Sequence, residues 1–365
     1  MKIVRGIFLF INFVAIICAA IAFLGTNMSP EKILIPSYLE LVLPVFVVAN
    51  VLFVVFWLVF KKWYFLFSLV FLVLSYSSLK ILFPVNINVK KKEVSENAFT
   101  MLSYNTWVLG RMKKHTAESP NQVVQYVLDC DADVICLQEF VVSENDDYLT
   151  HRDITSMLKK KYPYQHIYYK DQNKRRSLGI ATFSKYPIIN KQAIDYTSRQ
   201  NSAIFSDIVV KKDTLRFINC HLESNRLTEK DKAMPLELRK NFDTESLSNV
   251  AIQLSRKLGV AYKTRAVQAD IVAEVVSNSP YKTVVCGDFN DVPLSYAYTK
   301  VRGEQIDVFE ELGFGFGSTF TESLYKFRID YVFCNKNIIP LKFKIDKVKY
   351  SDHYPLLCTL EINNN

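Results

Sequence analysis

None of the seven cysteines in this 365-residue sequence pairs as Cys-x-x-Cys, so a zinc ribbon or finger is excluded. A disulfide framework is not expected either. Cys18 lies in an apolar run, and Cys130, Cys136, Cys220, Cys286, Cys334 and Cys358 mostly sit in apolar, strand-like segments. A thiol there packs as a small, inert hydrophobe. No internal repeat is present, which excludes a stacked-repeat architecture. The glycines Gly313, Gly315 and Gly317 have no lysine beside them and follow no clear strand, so they read as a structural turn and not as a nucleotide-binding loop.

Charge is missing from three long stretches: Gly6–Leu24, Leu41–Phe60 and Trp63–Leu79. They account for the high apolar share, 50% of the chain, which is concentrated in the first 83 residues. About 20 mostly apolar residues cross a hydrocarbon core of about 30 Å. The first two stretches suffice, and the third does if it runs through Lys80 to Phe83 with the lysine reaching back to the interface. Three transmembrane helices are therefore expected, at about 6–24, 41–60 and 63–83. A cleaved signal peptide is the alternative for the first run, but its apolar core is long and two more spans follow. Trp57, Trp63 and Tyr64 flank the Lys61-Lys62 turn, as interfacial aromatics do. Lys2, Arg5, Lys61 and Lys62 put the N-terminus and that turn in the cytoplasm, so three spans would carry the rest of the chain to the extracytoplasmic side. Lys80 and Lys90 to Lys92 weigh the other way.

The net charge is +9. The first 89 residues hold six basic and two acidic residues, or +4, and leave +5 to the remainder. A mildly basic region suits an anionic substrate or membrane surface, but a lysine-rich solvated surface explains it equally well.

Residues 84–97 read as a polar linker, and 98–365 as the catalytic domain. Strands are expected at Phe99–Tyr104, Asp133–Gln138, Leu178–Ser184, Ala203–Val210, Leu215–His221, Thr283–Gly287, Ile329–Cys334 and Leu356–Ile362. A helix opening at Ser119-Pro120 should run to about Asp129. Strands alternating with helices over this length imply an α/β domain with two packed sheets. The charged stretch from Ser224 to Gly259 is long for a connection, as a lid or substrate loop would be, or a surface insert.

Six signatures occur in order: Ser103-Tyr104-Asn105-Thr106-Trp107, Leu137-Gln138-Glu139, Asn219-Cys220-His221-Leu222, Gly287-Asp288-Phe289-Asn290, Arg328-Ile329-Asp330-Tyr331 and Ser351-Asp352-His353-Tyr354-Pro355. Five end an expected strand in a polar or acidic residue, and strand ends are where loops converge into sites. Singly each has a bland explanation. Glu139 could be a surface carboxylate, Asp288 and Asn290 an Asx turn, His221 a satisfied core histidine. Jointly they supply carboxylates and amides for a hard cation, plus two histidines.

With these signatures the chain resembles the endonuclease/exonuclease/phosphatase superfamily over roughly Ala98 to Ile362. Leu178–Ile188 and Arg265–Ala269 match as well. The resemblance implies a four-layer α/β sandwich with its site at one end of the two sheets. It implies Glu139 and Asp352 as ligands of Mg²⁺, or of Mn²⁺ in its place, with Asn105 beside them as a further ligand or an orienting amide. It makes His353 a general base or phosphate contact partnered by Asp330, and Asp288 the group that orients the attacking water. Asn290 becomes a donor to a phosphoryl oxygen, and His221 a second phosphate contact that could protonate the leaving oxygen. Arg265 would pair with a site carboxylate. The expected activity is hydrolysis of a phosphate ester, whether a lipid headgroup, a small ester or nucleic acid. A nonspecific nuclease is the nearest alternative, and a noncatalytic membrane scaffold is the one from another class. No obligate protein partner is expected. Lys174, Arg175 and Arg176 could meet phosphate, although an exposed charge run is the commoner meaning of such a cluster.

Overall fold

The structure is a computed structural model and describes residues 2–87, 95–116, 118–228, 231, 244–322 and 327–363. Half of the expected linker, residues 88–94, lies outside the described residues, as do 229–230 and 232–243 of the long excursion. The described chain divides into two compact units.

The first unit takes in Met1–Pro84 together with Asn225–Val267 and Val292–Lys300. Helix α1 spans Lys2–Gly25 and is long and apolar enough to cross a membrane. The other two apolar runs are bent pairs. Helices α2 (Ile35–Leu41) and α3 (Leu43–Val59) meet at 68°, and α4 (Phe65–Leu74) and α5 (Tyr76–Leu82) at 72°. The first bend falls where Pro44 lacks the N–H that would continue the ladder. At the second, Ser75, Ser77 and Ser78 cluster and no proline is near. The described chain thus has one spanning-length helix, or up to three spans if each bent pair counts as one.

This bundle buries a polar network beside an apolar cluster and exposes many large apolar side chains. Asn12 donates to Ser68 Oγ (2.6 Å), Ser68 donates to Asn50 Oδ1 (2.8 Å), and Trp57 Nε1 donates to Asn12 Oδ1 (3.1 Å). All four are buried, while Phe10 and Leu74 are 69% and 79% exposed. Part of the excursion, expected as a helix-compatible lid or insert, forms the start of the helix Thr244–Ser277. Tyr38 donates to the carbonyl of Ser255 at 2.8 Å and sets its ring edge against Tyr262. Gly259 permits this approach, since a Cβ there would meet the Tyr38 hydroxyl.

The second unit holds two six-stranded mixed sheets. One has the order β11-β12-β1-β2-β4-β3, with β1 Ala98–Asn105, β2 Val134–Ser143, β3 Tyr164–Gln172, β4 Arg176–Ser184, β11 Ile338–Ile345 and β12 Leu356–Ile362. The other has the order β5-β6-β7-β8-β10-β9, with β5 Ile188–Ile194, β6 Ala203–Val210, β7 Asp213–His221, β8 Lys282–Asp288, β9 Ile306–Asp307 and β10 Asp330–Cys334. Period-two alternation divides the core. Phe99, Met101, Val134 and Cys136 face Phe217, Val284, Cys286 and Val332 between the sheets. Leu102, Tyr104, Ile135 and Phe140 point the other way, onto helices Gln122–Cys130 and His151–Leu158. Two sheets flanked by helices are the expected sandwich. All seven cysteines are free.

Two local expectations are corrected. The helix expected to open at Ser119-Pro120 begins at Gln122, because Asn121 supplies the cap by accepting from the amides of Val123 and Val124. Ser119 and Pro120 lie before it. Strand β2 does not stop at Gln138 but runs on to Ser143, with a bulge between Leu137 and Phe140.

Between the sheets, His166 is buried with its Nδ1 2.9 Å from Ser206 Oγ. Burial pushes its pKa down to about 4. Above its ordinary range near 6.5 the imidazole is neutral in both folded and unfolded chains and adds no pH dependence. Below that range the unfolded chain takes the proton first, so stability is lost as pH falls toward 4. Linkage gives a loss of ~2 kcal/mol between pH 7 and pH 5. Melting of the detergent-solubilised full chain at these two pH values should show a smaller acid shift in His166→Gln than in the wild type. Equal shifts in both would exclude His166 as the cause.

Candidate active site

Strand register brings the signatures together. In the second sheet β7 pairs with β8 so that His221 lies opposite Asp288, and β8 pairs with β10 so that Asp288 lies opposite Asp330. Three of the expected residues thus form one row across neighbouring strand ends. In the first sheet Asn105 lies opposite Gln138, with Glu139 the next residue. The bulge and a left-handed backbone at Glu139 (φ 49°) give that side chain an aim that regular alternation would not. Such a backbone costs energy and is kept where neighbours hold it. Here Thr106 Oγ1 lies 3.0 Å from the carbonyl of Gln138 and 2.9 Å from that of Glu139. Gly287 (φ 130°) is needed because a Cβ there would collide with the Cys220 backbone on β7.

Asp288 is the hub. Its Oδ2 accepts from Asn105 Nδ2 (2.9 Å) and Asn290 Nδ2 (3.2 Å), and its Oδ1 accepts from the Asn290 amide (2.8 Å). The same Oδ2 lies 3.7 Å from Nε2 of both His221 and His353. His221 Nε2 is also 3.8 Å from Glu139 Oε1, and Asn105 Nδ2 is 3.5 Å from that oxygen. His353 Nδ1 bonds Asp330 Oδ2 at 2.9 Å, while its Nε2 lies 4.0 Å from Asp352 Oδ1. All eight residues expected at the site therefore gather around one point. The ninth expectation, Arg265, is fully buried and donates to Asn225 Oδ1 at 3.0 Å.

Asn290 Nδ2 is directed at Asp288 and at the carbonyl of Leu222 (3.0 Å), so it braces Asp288.

The electrostatics divide the two histidines. Burial alone would lower His353, but Asp330 and Asp288 outweigh it and raise its pKa well above the ordinary histidine range. Burial wins at His221, which is lowered despite the pull of Asp288. One imidazole is thus held charged and its neighbour neutral. Burial also raises Glu139, with Asp288 adding to the effect and His353 and Asn105 opposing it. Asp288 is raised by burial and by Asp330, against His353 and His221. Burial and the nearby Glu139 push Asp352 up to about 7, against the pull of His353.

Four carboxylates face one charged imidazole, so the ionised cluster carries surplus negative charge. An oxygen-rich, anionic donor set fits a hard divalent cation. The tightest grouping of ligand atoms is Asp288, Asp330 and His353, all within 4.8 Å of one another. Asp330, however, already accepts from His353 Nδ1, and a cation there would compete for that pair. Glu139, Asp352 and the Asn105 amide oxygen leave the dyad intact.

Reading the sequence alone missed the groups that hold these residues. Gln138 Nε2 donates to Asn219 Oδ1 at 2.7 Å, and Asn219 Nδ2 donates to the carbonyl of Ala181 at 3.0 Å, in a wholly buried clamp between the sheets. Gln138 precedes Glu139, and Asn219 lies two residues before His221. Ser351 Oγ donates to the Asn105 carbonyl (2.8 Å), and the Tyr196 hydroxyl to that of His221 (2.8 Å). The available signal was an amide inside an apolar strand, which is costly unless paired.

A family model described as Endonuclease/Exonuclease/phosphatase family matches residues 102–353, and another, described as a domain of unknown function, matches residues 5–82. The 3'-5'-exoribonuclease subunit Ccr4 of the CCR4-Not complex of Mycosarcoma maydis is 23% identical over 286 residues. That match covers 66% of this chain but only 41% of the relative. Among solved structures, the human Nocturnin catalytic domain with bound sulfate is similar with a TM-score of 0.50 and 14% identity, over 74% of this chain and 97% of that one. An endonuclease/exonuclease/phosphatase from Beutenbergia cavernae gives 0.49 and 12%, over 73% and 72%.

Proposed function

The chain belongs to the endonuclease/exonuclease/phosphatase family, and from that premise we propose that residues 98–365 are a Mg²⁺- or Mn²⁺-dependent hydrolase of phosphate esters, tethered to a membrane by residues 1–83. The observation that carries the reading is the convergence of two histidines and four carboxylates on Asp288 Oδ2 and its surroundings.

Glu139 and Asp352, with the Asn105 amide oxygen, would hold the ion. When bound, the ion polarises a phosphoryl oxygen and stabilises the leaving oxygen. The remaining work falls to side chains. Asp288, raised above the ordinary carboxylate range and braced by Asn105 and Asn290, orients the attacking water and takes its proton. Asp330 fixes the tautomer of His353, and the charged ring faces the phosphoryl oxygens where negative charge develops. Neutral His221, its Nε2 3.7 Å from Asp288 Oδ2, would contact the phosphate as a second donor.

Tethering is supported by α1 and by the N-terminal bundle, which buries a polar network and exposes many large apolar side chains. In lipid, apolar side chains lose nothing by facing outward, while polar ones must pair internally. On this reading each bent pair is one span. The basic residues at Lys2, Arg5, Lys61 and Lys62 then support an extracytoplasmic catalytic domain, against Lys80 and Lys90 to Lys92. A nonspecific nuclease is the second reading, favoured by the likeness to a relative named as an exoribonuclease.

Detergent-solubilised full chain should hydrolyse a chromogenic phosphodiester with Mg²⁺ or Mn²⁺, stop when the metal is chelated, and lose most of its rate in His353→Ala. Equal rates in all of these, or no turnover by the wild type, would reject the hydrolase and leave a membrane scaffold.

A further inference from the structure

A basic cleft of about 720 Å³ opens beside the site, lined by Arg111, Lys174, Arg175, Arg176, Glu144 and Asn145 among others. From the proposed hydrolase reading, we infer that this cleft is a second-anion subsite, which takes a further phosphate group of the substrate beyond the phosphorus under attack.

The cations come from two separate chain segments, and the backbone of the turn that carries three of them is braced. Asn173 Oδ1 accepts from the amides of Arg175 (2.9 Å) and Arg176 (3.1 Å), which closes the turn between β3 and β4. The Glu144 amide donates to the Arg175 carbonyl at 3.0 Å, and Arg176 pairs in register with Ser143. The turn is thereby pinned to the end of β2. Arg111 arrives from the other segment, its guanidinium 4.4 Å above the Trp107 ring. The stretch Trp107–Met112 winds left-handed, with φ between 49° and 68°. Lys174, Arg175 and Arg111 are exposed, and Glu144 is the one carboxylate among the lining residues named. Four cations against one carboxylate favour an anion.

Both segments lead directly from the site. The Trp107 amide donates to Asn105 Oδ1 at 3.0 Å. Strand β2 runs four residues from Glu139 to Ser143, about 13 Å at about 3.3 Å per residue. A single small phosphodiester cannot span that distance. A molecule with a second phosphate on an extended arm can, and guanidinium forks suit phosphate oxygens.

The test is tripolyphosphate binding to detergent-solubilised full chain in chelator, measured calorimetrically, for the wild type and for the double variant Lys174→Gln/Arg175→Gln. Neither residue belongs to the proposed catalytic set. The expected result is salt-sensitive binding by the wild type and at least about tenfold weaker binding by the variant. Turnover of the one-phosphate chromogenic diester should be the same in both. A short oligodeoxynucleotide or inositol hexakisphosphate should displace the bound tripolyphosphate. Displacement by the first points to a nucleotide chain, and by the second to a headgroup-like polyphosphate; either supports the subsite. Equal tripolyphosphate affinity in wild type and variant, or no binding at all, overturns it. Because this binding needs no turnover, an inactive wild type would refute the hydrolase reading separately and leave the cleft to be judged by calorimetry alone.

Discussion

Asparagine at position 288 is expected to lower kcat for a chromogenic phosphodiester by about 10²- to 10⁴-fold, the range lost when a positioned general base is removed. The argument rests on the place of Asp288 in the site. Its Oδ2 is shared by two amide donors and stands 3.7 Å from both imidazole Nε2 atoms. No other carboxylate there touches so many of the reacting groups. Asparagine keeps the shape but cannot take a proton. It loses at least one hydrogen bond, at about 1 kcal/mol, and relieves a buried carboxylate that Asp330 repels. These effects oppose each other, so the variant should stay folded. Circular dichroism and steady-state kinetics on the same sample check both points. A variant with wild-type kcat would remove Asp288 from the mechanism.

The central strands were legible because both their faces are buried and they read as unbroken apolar runs. The strands that went unseen, β3, β5, β9 and β11, are the four sheet edges. Strand β5 is polar, with Asn190, Lys191 and Gln192 exposed, and β9 is only two residues long, whereas β11 is apolar but interrupted by Pro340, Lys342 and Lys344. The site residues were legible for a different reason. Polar groups just past buried strands are conspicuous, and five of the six signatures, which occur in family order, end a strand in this way.

What lay beyond the sequence was long-range geometry. Gln138 and Asn219 meet across the two sheets although 81 residues separate them. The bulge that turns Glu139 interrupts no pattern, since Phe140 to Val142 continue the apolar run. The engagement of Asn290 by Leu222 depends on a loop carbonyl that no motif encodes. In the membrane bundle, length and lack of charge located the helices, while the 68° and 72° bends follow from local backbone and packing.

Glutamine at position 139 is expected to weaken divalent-metal binding by at least about 100-fold, more than the loss usual for a residue that merely supports a ligand. Glu139 stands beside Asn105, His221 and Asp352, and the cluster holds more carboxylates than positive charges. Removing its charge takes away the strongest single attraction for a cation. The decisive measurement is a titration of Mn²⁺ into detergent-solubilised full chain, followed by the loss of the free-ion electron paramagnetic resonance signal. The wild type should take up Mn²⁺ at a site that Glu139→Gln largely abolishes. Uptake identical in the two proteins would contradict a cation held where these side chains converge.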